Sequence, residues 1–192
     1  AERQPPLWFR LTPFTQPAGL EPQLEALDMV RMDDTRVMVC PSLAHLQPDA
    51  LPLGVDVRRL DAAAYAELIG GLRGSPAGQR QAQAQRVALS PVPYEGWVLR
   101  RIDDGQVLAC GQFAREGELV GLYDVFTAPE HRGQGWARWL CIELLSQARL
   151  AGARAAYLQV EADNAPARAV YQRLGFFDGY RYHYRVDDPF AA

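Results

Sequence analysis

The sequence predicts an α/β fold with a mixed, mostly antiparallel central sheet flanked by helices. Two strand–helix units carry this prediction. In the first, a strand at residues 122–127 leads through a Gly-rich loop into a helix that begins at Trp136. In the second, a strand at 155–161 leads into a short helix that Asn164 caps. Hairpin-linked strands precede both units, so the sheet combines antiparallel and parallel neighbours.

The remaining elements follow from the spacing of apolar residues and from turn residues. In chain order, these patterns predict a strand at 7–12, a helix at 20–27, strands at 35–40 and 53–60, helices at 62–72 and 79–89, strands at 97–102, 107–113 and 119–126, and a last strand at 180–186. Asp61 fits an N-cap, and the Asp-Asp-Gly-Gln run at 103–106 fits a hairpin turn.

Length and charge limit the function classes. A chain of 192 residues supports one domain, or one domain with an extension, and its 48% apolar residues can build a sizeable core. The net charge of −3 gives no sign of a nucleic-acid or membrane partner. All twenty basic residues are arginine, which excludes any chemistry that needs a lysine.

The cysteines and histidines indicate neither a disulfide framework nor a metal site. Cys40, Cys110 and Cys141 are odd in number and lie among apolar residues, as expected for reduced thiols in a cytoplasmic protein. The three histidines are scattered, so no metal ligand set is predicted. The sequence leaves a Cys–His nucleophile pair open. We expect no signal peptide, and no run of apolar residues is long enough to span a membrane.

The Gly-rich loop is typical of a site for a phosphate-bearing ligand. The first amides of the following helix lack internal partners and point into the loop, where Gly133 and Gly135 allow a ligand close to the backbone. A nucleotide P-loop would require a lysine, and a dinucleotide fingerprint would require a glycine where Arg138 stands. The pattern that remains is Arg-x-x-Gly-x-Ala at residues 132–137.

This pattern resembles the acetyl-coenzyme A loop of the GNAT superfamily of N-acetyltransferases. Downstream, Asn-x-x-Ala-x-x-x-Tyr-x-x-x-Gly-Phe at residues 164–176 also resembles that family. The resemblance covers residues 52–188. It implies a GNAT fold, with a sheet splayed at the acetyl-CoA slot and acetyl-CoA as the co-substrate. Residues 1–51 are then an N-terminal extension, which could be the remnant of a degenerate first GNAT repeat, and residues 189–192 are a tail.

The resemblance also implies which residues hold acetyl-CoA. The backbone of the strand end lies beside the pantetheine arm, the loop amides and Arg132 hold the diphosphate, and Asn164 binds the arm. These predicted cofactor-binding residues are Val125, Phe126, Thr127, Arg132, Gly133, Gln134, Gly135, Trp136, Ala137, Arg138 and Asn164.

The predicted catalytic residues are Tyr171, Glu161 and Asp124. Tyr171 resembles the family tyrosine that protonates the coenzyme thiolate, although an aromatic core residue would also fit this position. Peptide N-terminal acetyltransferases of this layout have a glutamate where Gln159 stands, and glutamine cannot accept a proton. Glu161, two residues further on the same face, and Asp124 are therefore the candidate bases, with Glu118 a distant third.

The resulting hypothesis is an N-acetyltransferase in which the amine of a small molecule or a protein attacks acetyl-CoA directly. A catalytically degenerate GNAT domain that senses acyl-CoA or serves assembly is the alternative. An oxidoreductase that binds NAD(P) at the loop is a weaker one, because the third glycine is missing. The sequence does not determine which amine is the acceptor or whether the chain forms a homodimer.

Overall fold

Eight strands form one sheet in the computed structural model, which describes residues 7–48 and 50–187. The predicted tail at 189–192 lies outside the described residues. The strands are β1 (Trp8–Leu11), β2 (Val30–Cys40), β3 (Val55–Leu60), β4 (Tyr94–Arg101), β5 (Val107–Glu116), β6 (Leu119–Thr127), β7 (Ala155–Glu161) and β8 (Phe177–Val186). The helices are α1 (Leu20–Ala26), α2 (Ala62–Leu72), α3 (Ala77–Ala88), α4 (Trp136–Leu150) and α5 (Ala165–Arg173), and Pro129–His131 form a 3₁₀ turn.

Every predicted element is present, and the local signals explain where several begin. The Asp61 side chain accepts a hydrogen bond from the amide of Ala64, as expected of the N-cap of α2. Asn164 does the same for Ala167 at the start of α5. The predicted strand at 35–40 is too short, because β2 begins at Val30. None of the helices in the described residues is long and apolar enough to cross a membrane.

Helices cover both faces of the sheet. Its strand order is β1-β8-β2-β7-β6-β5-β4-β3, and β6 and β7 are its parallel pair. Helix α4 packs on β5 and β6, with α5 beside it, and α2 packs on β3 and β4 from the other side. The mixed, mostly antiparallel sheet flanked by helices confirms the predicted fold class.

The N-terminal segment contributes a central part of the sheet. Strand β2 lies between β7 and β8 and pairs antiparallel with both, so that Val37 faces Gln159 on one side and Tyr180 on the other. The strands at 8–11 and 30–40 therefore share a sheet with the rest of the described chain, which the sequence pattern did not indicate. The division of the chain at residue 51, and the origin of the N-terminal segment as the remnant of a first repeat, stay predictions.

In the main core, this segment packs against the elements that flank the Gly-rich loop. Met38 of β2 is fully buried, and it belongs to the same apolar cluster as Leu140 and Leu144 of α4 and Leu158 of β7. Burial of such side chains is the main favourable term in folding.

We expect Met38→Ala to lower the free energy of unfolding by about 2–5 kcal/mol, because it removes buried apolar atoms and leaves a cavity. Leu27→Ala, in the same segment but at a residue that is 71% exposed, is the matched control and should have little effect. Urea denaturation of both variants measures the difference. Equal stability of Met38→Ala and wild type would mean that β2 is not part of the cooperative core.

Candidate functional site

A gap opens between β6 and β7 at the carboxyl ends of these two parallel strands. The two strands pair from Leu119 and Ala155 as far as Leu122 and Leu158, and no pairing is made beyond that point. Both strands nevertheless continue, β6 to Thr127 and β7 to Glu161. Backbone groups that face such a gap have no strand partner, so they are available to an extended ligand. The predicted splay is thus present.

A β-bulge at Asp124 turns β6 away from its regular course beside the gap. Cys110 of β5 pairs with Phe126, whereas Gln112 pairs with Tyr123, so β6 has one more residue than β5 across this interval. Asp124 adopts the left-handed conformation, with φ of 49°. This conformation is unfavourable for most residues and is tolerated by aspartate, so the surroundings must hold it in place.

Side chains from three elements hold the Asp124 carboxylate. Arg73, directly after α2, donates to Oδ1 at 2.7 Å. Gln112 of β5, only 4% exposed, donates to Oδ2 at 2.8 Å, and Gln83 of α3 donates to the same atom at 3.4 Å. The Tyr65 hydroxyl of α2 also donates to the Asp124 backbone oxygen at 3.1 Å. Both carboxylate oxygens are therefore engaged within the chain.

The Gly-rich loop lies where β6 ends and α4 begins. Gly133 and Gly135 have φ of 76° and 88°, a conformation that side-chain-bearing residues rarely adopt. Arg132 is tied to the strand end by a 3.4 Å hydrogen bond from Nε to the Thr127 oxygen. The Trp136 indole donates to the Gln134 side chain at 3.1 Å. The loop is thus shaped by its own contacts.

The loop fits a phosphate group. No atom lies within 4 Å of where a Cβ would stand on either glycine, so a ligand can approach the backbone there. The helix that follows has fifteen residues, and its first amides and positive dipole end favour an anion. Next to the loop, Nε2 of His131 is buried without a hydrogen-bond partner in the described part of the chain.

Tyr171 lies on α5, the helix that follows β7. It is 9% exposed, its ring packs 6.1 Å from that of Phe176, and no described residue forms a hydrogen bond with its hydroxyl. Burial, with a smaller contribution from Cys141, raises the pKa of Tyr171 above its ordinary value. The phenol therefore stays protonated at neutral pH and can donate.

The face of the sheet opposite α4 carries polar and aromatic side chains beside the gap. Tyr123 of β6 and Tyr157 of β7 join their hydroxyls at 2.8 Å over Gly121, where a Cβ would come within 2.8 Å of both rings. The Gln159 side-chain oxygen accepts a 2.5 Å hydrogen bond from Tyr182. Glu161 is exposed at the end of β7, and its carboxylate has no partner among the described residues.

Most of the predicted cofactor-binding residues lie on the β6 side of the gap, at the strand end and in the Gly-rich loop. Val125, Phe126 and Thr127 follow the bulge on β6, and Arg132 to Arg138 form the loop and the first turn of α4. A cavity of about 460 Å³ adjoins Trp136 on the side of the β4–β5 hairpin. Asn164 uses its side chain as a helix cap, the structural role that the sequence indicated.

Neither a nucleophilic thiol nor a metal cluster is found in the described residues. Burial raises the pKa of Cys40, whose thiol donates to the Ser42 oxygen, and it raises the pKa of Cys110 to about 11 and that of Cys141 to about 12. All three thiols therefore stay protonated at neutral pH. Across 7–48 and 50–187, no three His, Cys, Asp or Glu side chains form a group that could hold a metal ion.

Sequence reasoning missed the residues that hold Asp124. They come from three distant parts of the chain, and no motif singles them out: Arg73 follows α2, Gln83 lies in α3 and Gln112 lies in β5. The one available signal was Gln112, a glutamine within a strongly apolar strand, since buried polar side chains need partners.

Comparisons with known proteins agree with this geometry. The model of the acetyltransferase (GNAT) family matches residues 63–176, more than half of the chain. No curated protein sequence matches it.

Solved structures show the same fold. They include a GCN5-related N-acetyltransferase from Kribbella flavida (20% identity, TM-score 0.67), a tandem GNAT protein from the clavulanic acid biosynthesis pathway (17%, 0.75) and a GCN5-related N-acetyltransferase from Sphaerobacter thermophilus (19%, 0.69). Each similarity covers 95% of this chain and, respectively, 68%, 63% and 60% of the other. The chain thus spans about two thirds of the length of these structures.

Proposed function

The chain belongs to the acetyltransferase (GNAT) family, and from this premise we propose that it is an N-acetyltransferase that uses acetyl-CoA. The observation that carries the proposal is the gap between β6 and β7, which opens beside the Gly-rich loop. A slot bordered by unpaired strand backbone suits an extended amide-containing arm, and the adjoining loop suits its diphosphate. Acetyl-CoA would supply the acetyl group as a thioester.

The proposed binding residues act mainly through their backbone. The amides from Gly133 to Arg138 face the loop, and the guanidinium of Arg132 adds a charge that a phosphate can pair with. The backbone of residues 125–127 is available along the slot because the pairing of β6 with β7 ends at Leu122. An amide here that donates to the thioester oxygen would stabilise developing negative charge, an effect worth about 3 kcal/mol in comparable sites.

Tyr171 is the proposed acid. Its hydroxyl has no hydrogen-bond partner in the described chain, and its raised pKa keeps the proton on Oη throughout the neutral range. A neutral phenol at this position can donate to the sulfur that leaves.

Glu161 is the proposed base, ahead of Asp124. Both oxygens of Asp124 already accept hydrogen bonds from Arg73, Gln112 and Gln83. Glu161 has no such partner and is exposed at the edge of the gap. Asp124 then has a positioning role, because it fixes the bulge that aims the end of β6.

The acceptor amine would approach from the face that carries Tyr123 and Tyr157. On this face α2 and α3 reach the slot through Arg73 and Gln83. The contacts there are phenol hydroxyls and amides, which can bind an amine of a small molecule or of a protein. A cytoplasmic location is part of the proposal, supported by three free, buried cysteines.

Gly135→Asp is expected to abolish acetyl-CoA binding, because it places a side chain and a negative charge in the proposed phosphate site. Gly117→Asp is the matched control, since Gly117 also has positive φ and open space around it but lies in the β5–β6 turn. Isothermal titration calorimetry with acetyl-CoA compares both with wild type. Lack of binding by wild type, or equal binding by Gly135→Asp, would contradict the loop assignment.

Tyr171→Phe is expected to lower turnover about tenfold or more while acetyl-CoA affinity changes little, since only the proton donor is lost. Release of free thiol with a panel of amines measures turnover, and calorimetry measures affinity. Tyr180→Phe, on strand β8, is the control. An unchanged rate would remove Tyr171 from the mechanism. Binding of acetyl-CoA without transfer to any amine would favour the sensor alternative.

Glu161→Gln is expected to lower kcat and to leave the free energy of unfolding unchanged, because Glu161 has no partner to lose. Asp124→Asn should lower the free energy of unfolding by about 1–3 kcal/mol in addition to kcat, since its new amide group faces the donors Gln112 and Gln83. Turnover is measured as a function of pH, and the free energy of unfolding is measured by urea denaturation. Together they separate the role of Glu161 from that of Asp124. Full activity of Glu161→Gln across pH 6–9 would exclude Glu161 as the base.

A further inference from the structure

A second cavity lies away from the proposed slot, at the β1 end of the sheet. Its volume is about 530 Å³, within the range of small-molecule sites. It is bordered by β2, β8 and the segment that links β1 to α1, and we call it the α1 cavity. Its polar lining residues are Thr12, Thr15, Gln16, Glu21, Arg31, Arg181 and His183. Strand β7 separates these strands from β6, so the two sites are distinct.

The acidic residue in the α1 cavity is already neutralised. Glu21 accepts hydrogen bonds from Arg185 at 2.8 and 3.1 Å and contacts Nε2 of His183 at 2.9 Å. Burial on its own would raise the pKa of Glu21, but the hydrogen bonds from Arg185 and His183 hold it below its ordinary value. Arg185 is itself satisfied, since it also donates to the Met29 oxygen at 2.9 Å.

Two further guanidinium groups face the same cavity, and neither donates a hydrogen bond to a described carboxylate. The guanidinium of Arg181, on β8, has no hydrogen bond or ion pair with any described residue. Arg31 of β2 has only Asp34, at 3.9 Å, and about half of its side chain is exposed. The lining therefore has an excess of positive charge.

The wall opposite these arginines is held by the chain itself. The Thr12 amide donates to Oγ1 of Thr15 at 2.8 Å, and the Phe14 amide donates to Oγ1 of Thr12 at 3.2 Å. Behind the wall, Leu11 and Leu24 are buried in a small apolar cluster. A wall fixed in this way needs little reorganisation when a ligand enters.

We propose that the α1 cavity binds a small organic anion that carries carboxylate or phosphate groups, with Arg31 and Arg181 as the side chains that bind them. Planar guanidinium groups match the two oxygens of a carboxylate or phosphate. The threonine and glutamine side chains opposite can bind the polar remainder of the molecule. This site is independent of acetyl-CoA.

The test titrates the whole chain with succinate and, separately, with inorganic phosphate by calorimetry. We expect saturable one-to-one binding of at least one probe to wild type, and binding at least tenfold weaker in Arg31→Ala/Arg181→Ala. Arg86→Ala/Arg149→Ala removes the same charge from two exposed helix positions and should bind like wild type. The probe that binds more tightly identifies the anionic group.

Two further measurements separate this site from the Gly-rich loop and from misfolding. Phosphate binding should persist in Gly135→Asp, because that variant alters only the loop. Arg181→Glu, which reverses one exposed charge, should also abolish binding while the midpoint of thermal unfolding stays near that of wild type. Three outcomes would overturn the proposal. They are the absence of saturable binding of either probe up to about 10 mM, equal binding by the double variant and wild type, and loss of phosphate binding in Gly135→Asp.

Discussion

The parallel pairing of β6 with β7 ends soon after it begins, and the candidate site depends on this interruption. Continuous pairing would join the backbone groups of both strands to each other and leave none for a ligand. The bulge at Asp124 maintains the interruption, and Arg73, Gln112 and Tyr65 hold the bulge. A polar network that is satisfied in this way fixes one geometry, because any other would leave buried donors without partners.

The helix–turn signals made much of the fold predictable. Asp61 and Asn164 begin their helices as their side chains suggest, and the apolar spacing from Trp136 onward marks the face of α4 that contacts the sheet. These signals are local, since each depends on residues within one or two turns. The Gly-rich loop is predictable for the same reason.

Long-range pairing could not be predicted in this way. Nothing in the sequence of β2 states that it lies between β7 and β8, because alternation shows that a strand has a buried face and not which strands adjoin it. The three side chains on Asp124 come together only in the folded chain. Tyr171 was predictable only in part. The motif identifies the residue, whereas its burial and the lack of a hydrogen-bond partner for its hydroxyl among the described residues are seen only in the structure.

The position of β2 has a consequence for synthesis of the chain on the ribosome. Arg185 and Met29, which share a hydrogen bond, lie 156 residues apart along the chain. Both neighbours of β2 are translated after the Gly-rich loop, so its apolar residues stay uncovered while the intervening chain is made. Contacts this distant in sequence slow folding, because the closure of a long loop precedes them. The apolar side of β2 must therefore wait for β7 and β8 before it is covered on both edges.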